Sequence, residues 1–442
     1  MAEVTGVSPT MSASARRQRT WLMSLLTSAF ALNLLDRQII NVLAEPIKRD
    51  LLLADWQLGA LTGLSFALLY SVMGIPIARI ADRGNRVRII GVAVLVWSVF
   101  TAACGMAANF IQLLLLRIGV GVGEAGCAPP SQSLIADHFP TDKRAGALAV
   151  FNMGSPLGAA IGLAGGGLLA DAVGWRWTLV CAGLPGMLIG LLVLTTLKDA
   201  RPVRRRSLGE RAWPVIRRLL IRRTFFLMAL ASALLSFVNY GAMAFAGSFF
   251  LRVHEADLLT MGEFFGVGPL AIIGLGLGVF GALTGAAGSY AGGKVADRLG
   301  SINVRALALI PAVGSLLCAV GYVVMFTVPS GAWGLFLFVF PAFFANLWAG
   351  PGIMALQELA GVPARATAMA LVLFAQSAIG LGLGPLSIGI ISDLLAPTWG
   401  AGEGLRLAIL LGLVVGLVSS FIYWLASRSI KADLSAVEGV EV

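Results

Sequence analysis

The chain has 442 residues, of which 58% are hydrophobic and 12% charged, and its mean hydropathy is +0.88; a soluble domain carries roughly 25% charged residues. These values exclude a soluble enzyme and leave an integral membrane protein. The net charge of +10 does not point to nucleic acid, because the basic residues are distributed as a membrane topology requires.

Apolar stretches lie near 20–44, 57–80, 87–107, 109–136, 145–170, 178–197, 224–250, 262–290, 304–328, 331–357, 366–393 and 402–427. A helix needs about 20 such residues to cross a hydrocarbon layer. The stretches lack the polar/apolar alternation of barrel strands, so the predicted fold class is all-α: twelve transmembrane helices in two pseudo-symmetric six-helix bundles. With the N-terminus inside, 25 of the 32 Lys and Arg residues fall on inside segments and five on outside loops (Lys48, Arg49, Arg176, Arg252, Arg406), while Arg37 and Arg117 lie within helices. The positive-inside rule then predicts a multi-pass protein of the inner (plasma) membrane with both termini cytoplasmic. The expected division is a tail 1–19, a first half 20–197, a basic linker 198–223, a second half 224–427 and a tail 428–442. Helix 1 is too long for a signal-peptide core and is expected to remain. The linker carries ten basic residues against Asp199 and Glu210, and reads as a plain connector or as a contact with the anionic leaflet.

In chain order, helix 1 carries Asn33, Asp36 and Arg37. Neighbouring residues on a helix point about 100° apart, so Asp36 and Arg37 should find partners on other helices. After helix 2 comes Asp82-Arg83-Gly84-Asn85-Arg86, and after helix 8 the Asp-Arg pair recurs as Asp297-Arg298. That recurrence, an offset close to half the chain, marks an internal duplication, and duplicated halves with a midplane site between them are how many secondary transporters are built. Helix 4 reads Arg117-Ile118-Gly119-Val120-Gly121-Val122-Gly123-Glu124-Ala125-Gly126. Seven residues apart, Arg117 and Glu124 share one face about 10 Å apart along the axis. Intramembrane charges are costly and normally face a watery interior, though a structural ion pair between helices is the simpler alternative. The same stretch satisfies GxGxxG, but mid-helix, where glycines serve close helix packing rather than phosphate binding. Helix 5 repeats the device at Gly154, Gly158, Gly162 and Gly166, with Pro156 expected to bend it. In the second half, Asn239, Tyr240, Asn346, Trp348 and Gln376 are candidate cavity residues or interhelical hydrogen-bonding groups.

His138 and His254 fall on opposite sides of the membrane, and no HExxH, GxSxG or paired-Asp motif occurs; no enzyme activity and no cofactor are expected. Cys104, Cys127, Cys181 and Cys318 lack CxxC spacing, so neither a disulfide framework nor a metal site is expected.

Six plus six helices, with the Asp-Arg loop after the second helix of each half, resemble the major facilitator superfamily. Leu32-Asn33-Leu34-Leu35-Asp36-Arg37, Asp82-Arg83-Gly84-Asn85-Arg86 and the Arg117-to-Ala125 stretch together look like its spinster family. The loop departs from the usual superfamily order, with Gly84 and Asn85 where Gly precedes a basic pair. The resemblance implies a transporter working by alternating access, proton-coupled, moving a small amphipathic solute; spinster proteins are associated with export of lysophospholipids and sphingoid-base phosphates. It implies proton coupling at Asp36 and Glu124. Substrate contacts are expected at Asn33, Arg37, Arg117, Asn239, Tyr240, Asn346 and Trp348, with a cytoplasmic gate of Asp82, Arg83, Arg86, Asp297 and Arg298. The expected partners are the lipid bilayer, the substrate and protons, with no nucleic acid, and the chain is expected to be a monomer. The same fold also suits a non-transporting sensor, or a drug or organic-acid transporter of another family in the superfamily; the ionisable residues of helices 1 and 4 favour transport.

Overall fold

The structure is a computed structural model, described for residues 13–65, 76–77, 80, 84–199, 212–300, 302–361 and 364–438. Every regular element among the described residues is a helix. In the first half, α1 (Ala13–Leu51) is followed by α2 (Asp55–Gly59), which continues as a π-helical stretch, Ala60–Leu64. Then come α3 (Arg86–Cys104), α4 (Phe110–Glu124), α5 (Ala128–His138), α6 (Thr141–Asn152) and α7 (Gly154–Thr196). Asn85 and Asn109 cap α3 and α4, their side chains accepting from the backbone N–H groups of Arg88 and Gln112. The second half contains α8 (Ala212–Ile221), α9 (Arg223–Val253), α10 (Glu255–Phe265), α11 (Pro269–Gly300), α12 (Ala306–Thr327), α13 (Gly331–Leu337), α14 (Val339–Asn346), α15 (Ala349–Ala360) and α16 (Arg365–Ala375). After a second π-helical stretch, Gln376–Leu383, α17 (Gly384–Glu438) completes the chain.

Both α7 and α17 hold two membrane spans, broken at Gly174 (φ 76°) and Gly400 (φ 79°). A side chain at either place would be strained in that left-handed backbone. Helical structure overruns the expected tails, starting at Ala13 and continuing to Glu438. Pro156 does not bend a helix interior: α6 ends at Asn152 and α7 starts at Gly154, so Pro156 occupies a first turn, where its missing N–H costs no helical bond.

Within the first half, α7 lies along α1. At Gly158 the approach is so close that a Cβ would come within 1.9 Å of the Ala31 carbonyl oxygen. The two halves meet through α1 against α9, α7 against α11, and α2 against α17. The last two contacts concentrate at the face opposite the chain termini, here the far face, where Gly167 abuts Leu270 and Gly59 abuts Pro385. Toward the terminal face α7 turns to α1, and α11 turns to Phe343 and Leu347. The halves therefore diverge there and leave a cavity between them.

Candidate functional site

The cavity has a volume of about 490 Å³. Leu34 and Gln38 of α1 and Pro156 and Ala159 of α7 form one wall; Asn239 and Tyr240 of α9, Tyr322 of α12, Asn346, Trp348 and Gln376 form much of the other. All five second-half candidates thus line one space. Asn239 is fixed in place, since its Oδ1 accepts from the Tyr322 hydroxyl at 3.2 Å and its Nδ2 donates to the Leu235 carbonyl at 3.2 Å. The Asn346 Nδ2 donates to the Ala342 carbonyl at 2.9 Å. Tyr240 is 41% exposed, and Gln376 Nε2 has no hydrogen-bond partner among the described residues. Amide, phenol and indole groups beside aliphatic surface give an amphipathic lining.

A smaller chamber of about 40 Å³ adjoins it, sharing Leu34, Gln38 and Tyr240 and bordered by Arg37, Asn41, Thr62 and Arg117. A buried water needs at least about 10–15 Å³, so the chamber has room for a few waters and not for a substrate headgroup. Arg37 Nε donates to Glu124 Oε2 at 2.8 Å; the Arg37 side chain is 22% exposed and that of Glu124 0%. Asp36 turns elsewhere, its Oδ2 accepting from the Thr101 hydroxyl of α3 at 2.9 Å. Arg117 reaches the Asp36 carbonyl with Nη1 at 3.4 Å. Asn33 is buried beside Glu124. Adjacent residues Asp36 and Arg37 therefore serve different helices, as 100° per residue demands. The coupling candidates Asp36 and Glu124 line neither cavity; Arg37 connects Glu124 to the chamber.

At the far face four helices contribute a charged cluster that the sequence had shown only as loop charges. Arg252 of α9 donates to Glu45 of α1 at 2.7 Å and to both oxygens of Asp55 of α2 at 2.8 and 2.9 Å. Lys48 and Ser392 also donate to the Asp55 carboxylate. Burial alone would raise the Asp55 carboxyl, but the hydrogen bonds and charge of Arg252, with Lys48 and Ser392, outweigh it and lower it from 3.8 to about 2. The sequence signal was present in the pairing of Glu45, Lys48 and Asp55 around one helix end with Arg252 at another. Which ends meet is set by the tertiary fold.

At the terminal face, Asp82 and Arg83 lie outside the described residues. Arg86 is buried and binds Asp199 Oδ1 at 2.7 Å, Asp137 at 2.7 Å and the Ser133 hydroxyl at 3.1 Å. Ser133 and Asp137 lie on α5 and Asp199 at the start of the linker just past α7, so these bonds tie α3, α5 and the linker start together rather than reaching the second half. Asp297 and Arg298 are exposed near the end of α11.

Two helical halves around an inter-half cavity are the architecture of a membrane transporter, and comparison with known proteins agrees. The Major Facilitator Superfamily model matches residues 26–385. An "MFS-type efflux pump" of Mycolicibacterium smegmatis is 31% identical, covering 94% of this chain and 95% of that protein. Human "Protein spinster homolog 1" is 28% identical over 98% of this chain and 84% of its own length. The crystal structure of a bacterial homologue of the human lysosomal transporter spinster, inward-facing and unoccupied, superposes with a TM-score of 0.83 at 30% identity, covering 94% of this chain and 98% of that one. The chain belongs to the major facilitator superfamily, within its spinster family.

Proposed function

We propose that the protein is a proton-coupled secondary transporter of the inner membrane, with cytoplasmic termini, that moves an anionic amphipathic solute of lysolipid-like character out of the cell. The observation that carries this reading is the Arg37–Glu124 pair at 2.8 Å, with a partly exposed arginine at the chamber beside the cavity and a fully buried carboxylate behind it. While Glu124 is ionised it holds Arg37 by a charge-assisted hydrogen bond, roughly twice as strong as a neutral one. Protonation of Glu124 weakens that hold, and the released Arg37 side chain can then swing from the small chamber to the adjoining cavity, where an anionic headgroup takes it in place of Glu124. Arg117 borders the same chamber as Arg37 and offers a second guanidinium there. Asp36 shares the proton, acting through Thr101 on the seam between α1 and α3. The amphipathic wall built by Asn239, Tyr240, Asn346 and Trp348 suits the apolar body of such a solute. The name of the Mycolicibacterium relative supports the outward direction.

The conformational cycle opens the far face as the terminal face closes. Its bias is limited to the difference in proton and substrate affinity between the two states. The test is flux in proteoliposomes under an imposed proton gradient, using a fluorescent lysophospholipid. Gradient-dependent movement that is lost in Arg37→Ala and Glu124→Gln supports the reading; wild-type flux in both variants excludes it.

A further inference from the structure

The far face carries the same construction twice. In α7 the stretch Gly167-Leu168-Leu169-Ala170-Asp171 faces the start of α11, and in α17 the stretch Gly389-Ile390-Ile391-Ser392-Asp393 faces the start of α2. Asp171 accepts from the backbone N–H groups of Leu270 and Ala271 at 3.3 and 2.7 Å. Asp393 accepts from those of Asp55 and Trp56 at 2.9 and 2.8 Å. One turn back from each carboxylate, the glycine lets the backbones meet. A Cβ at Gly167 would lie 2.2 Å from the Leu270 carbonyl oxygen, and one at Gly389 2.3 Å from that of Asp55. Each half thus sends one aspartate to cap a helix of the other half.

We propose that Asp171 and Asp393 are a matched pair of positioning residues that hold the far face shut and so set the balance between the two facing states. The first turn of a helix has N–H groups without intrahelical partners, and a carboxylate there satisfies them and matches the positive end of the helix dipole. An ordinary cap travels with its helix and stabilises every conformation equally, as Asn109 does for α4 within the first half. Asp171 and Asp393 differ because cap and helix sit on opposite halves. When the far face opens, the N–H groups keep only water, so the whole capping contribution weighs on the closed state. The residue before α11 is fitted to this contact: a Cβ at Gly268 would come within 2.2 Å of the Asp171 carboxyl carbon.

This inference rests on the alternating-access reading, but not on its substrate or its proton site, so its test uses neither. Spin labels at positions 177 and 399, on exposed far-face tryptophans of the two halves, report the far-face distance in nanodiscs. The background has Cys104, Cys127, Cys181 and Cys318 replaced, and the measurement is made at one pH with no solute added. Asp171→Ala and Asp393→Ala should each raise the ratio of open to closed populations about fivefold, the equilibrium equivalent of a typical cap. The double variant should raise it roughly 25-fold, because the two sites share no partner. The asparagine variants, which still accept the N–H groups but lack the charge, should fall between wild type and alanine. Asn109→Ala should lower thermal stability and leave the ratio unmoved. An unchanged ratio in both alanine variants, or an equal change in Asn109→Ala, overturns the proposal. Gly268→Ala keeps Asp171 but displaces its carboxylate, so it should move the ratio the same way even where an alanine variant does not fold; no movement there also overturns it.

Discussion

Arg37 Nε lies 2.8 Å from Glu124 Oε2, joining α1 to α4 beside the small chamber. Removing one partner of a buried pair leaves an uncompensated charge and costs about 3–5 kcal/mol, whereas removing both is far milder. Arg37→Ala should therefore lower the melting temperature clearly, and Arg37→Ala combined with Glu124→Gln should restore most of it without restoring flux. Thermal unfolding in detergent, run beside the liposome assay, separates the structural from the transport contribution of the pair.

Arg252 is, among the described residues, the one cation bonded to both Glu45 and Asp55 across the inter-half seam. Without it Asp55 keeps Lys48 and, among the described residues, Glu45 keeps only the exposed Arg49, so both buried carboxylates are under-compensated and gain by meeting water, which opening the far face supplies. Arg252→Ala should shift the population toward the far-face-open state by about 3 kcal/mol or more, more than a hundredfold. Far-face spin-label distances are the readout, and an unchanged distribution would assign the cluster to subunit stability alone.

The Asp55 carboxyl, ahead of the apolar stretch that starts at 57, sits at about 2 in the closed state against an ordinary 3.8. A lowered value means that ionised Asp55 stabilises the closed far face. That contribution, about 2 kcal/mol, is fully present above pH 4 and is lost as pH falls toward 2. Asp55→Asn should therefore open the far face at neutral pH, while in the wild type Asp55 gives no response between pH 8 and 5. Asp55 is thereby separable from any proton site that works near neutrality.

Arg86 organises the terminal face of the first half through Asp199 and Asp137. Arg86→Ala removes both of the guanidinium's bonds to the buried Asp199 carboxylate and should cost about 3 kcal/mol of stability. Because none of these partners lies in the second half, the balance between facing states should move much less than in Arg252→Ala. Melting temperature and spin-label populations measured on one preparation decide between a local tie and a gate.

The spans among the described residues were legible because length and hydropathy are one-dimensional quantities, while the Asp-Arg pair that suggested the duplication has its first copy, Asp82 and Arg83, outside the described residues. That Asp36 and Arg37 would find separate partners on other helices followed from angular geometry, because neighbours on a helix cannot share a face. Which acid would take which arginine was not legible, since Thr101 competes for Asp36 from a third helix. Lys48 and Arg252 read as outside loop charges because they meet at Asp55 from separate helices, α1 and α9. Pro156 looked like a kink because the break between α6 and α7 leaves no mark in hydropathy. The Gly-x-x-x-Asp repeat of α7 and α17 stood in the sequence throughout, but its meaning depends on knowing which helix starts the two aspartates reach.

The central claim is that a proton on the α1–α4 carboxylates changes which way the transporter faces. The most direct measurement is the far-face distance distribution between labels at 177 and 399, followed from pH 8 to pH 5 in wild type, Asp36→Asn, Glu124→Gln and the double variant. A change of population is limited to about 1.4 kcal/mol per unit of difference in proton affinity between the states. The account predicts a pH-dependent shift in wild type, a reduced shift in each single variant and none in the double variant, with the proteins folded throughout. A double variant that shifts with pH as the wild type does would contradict it.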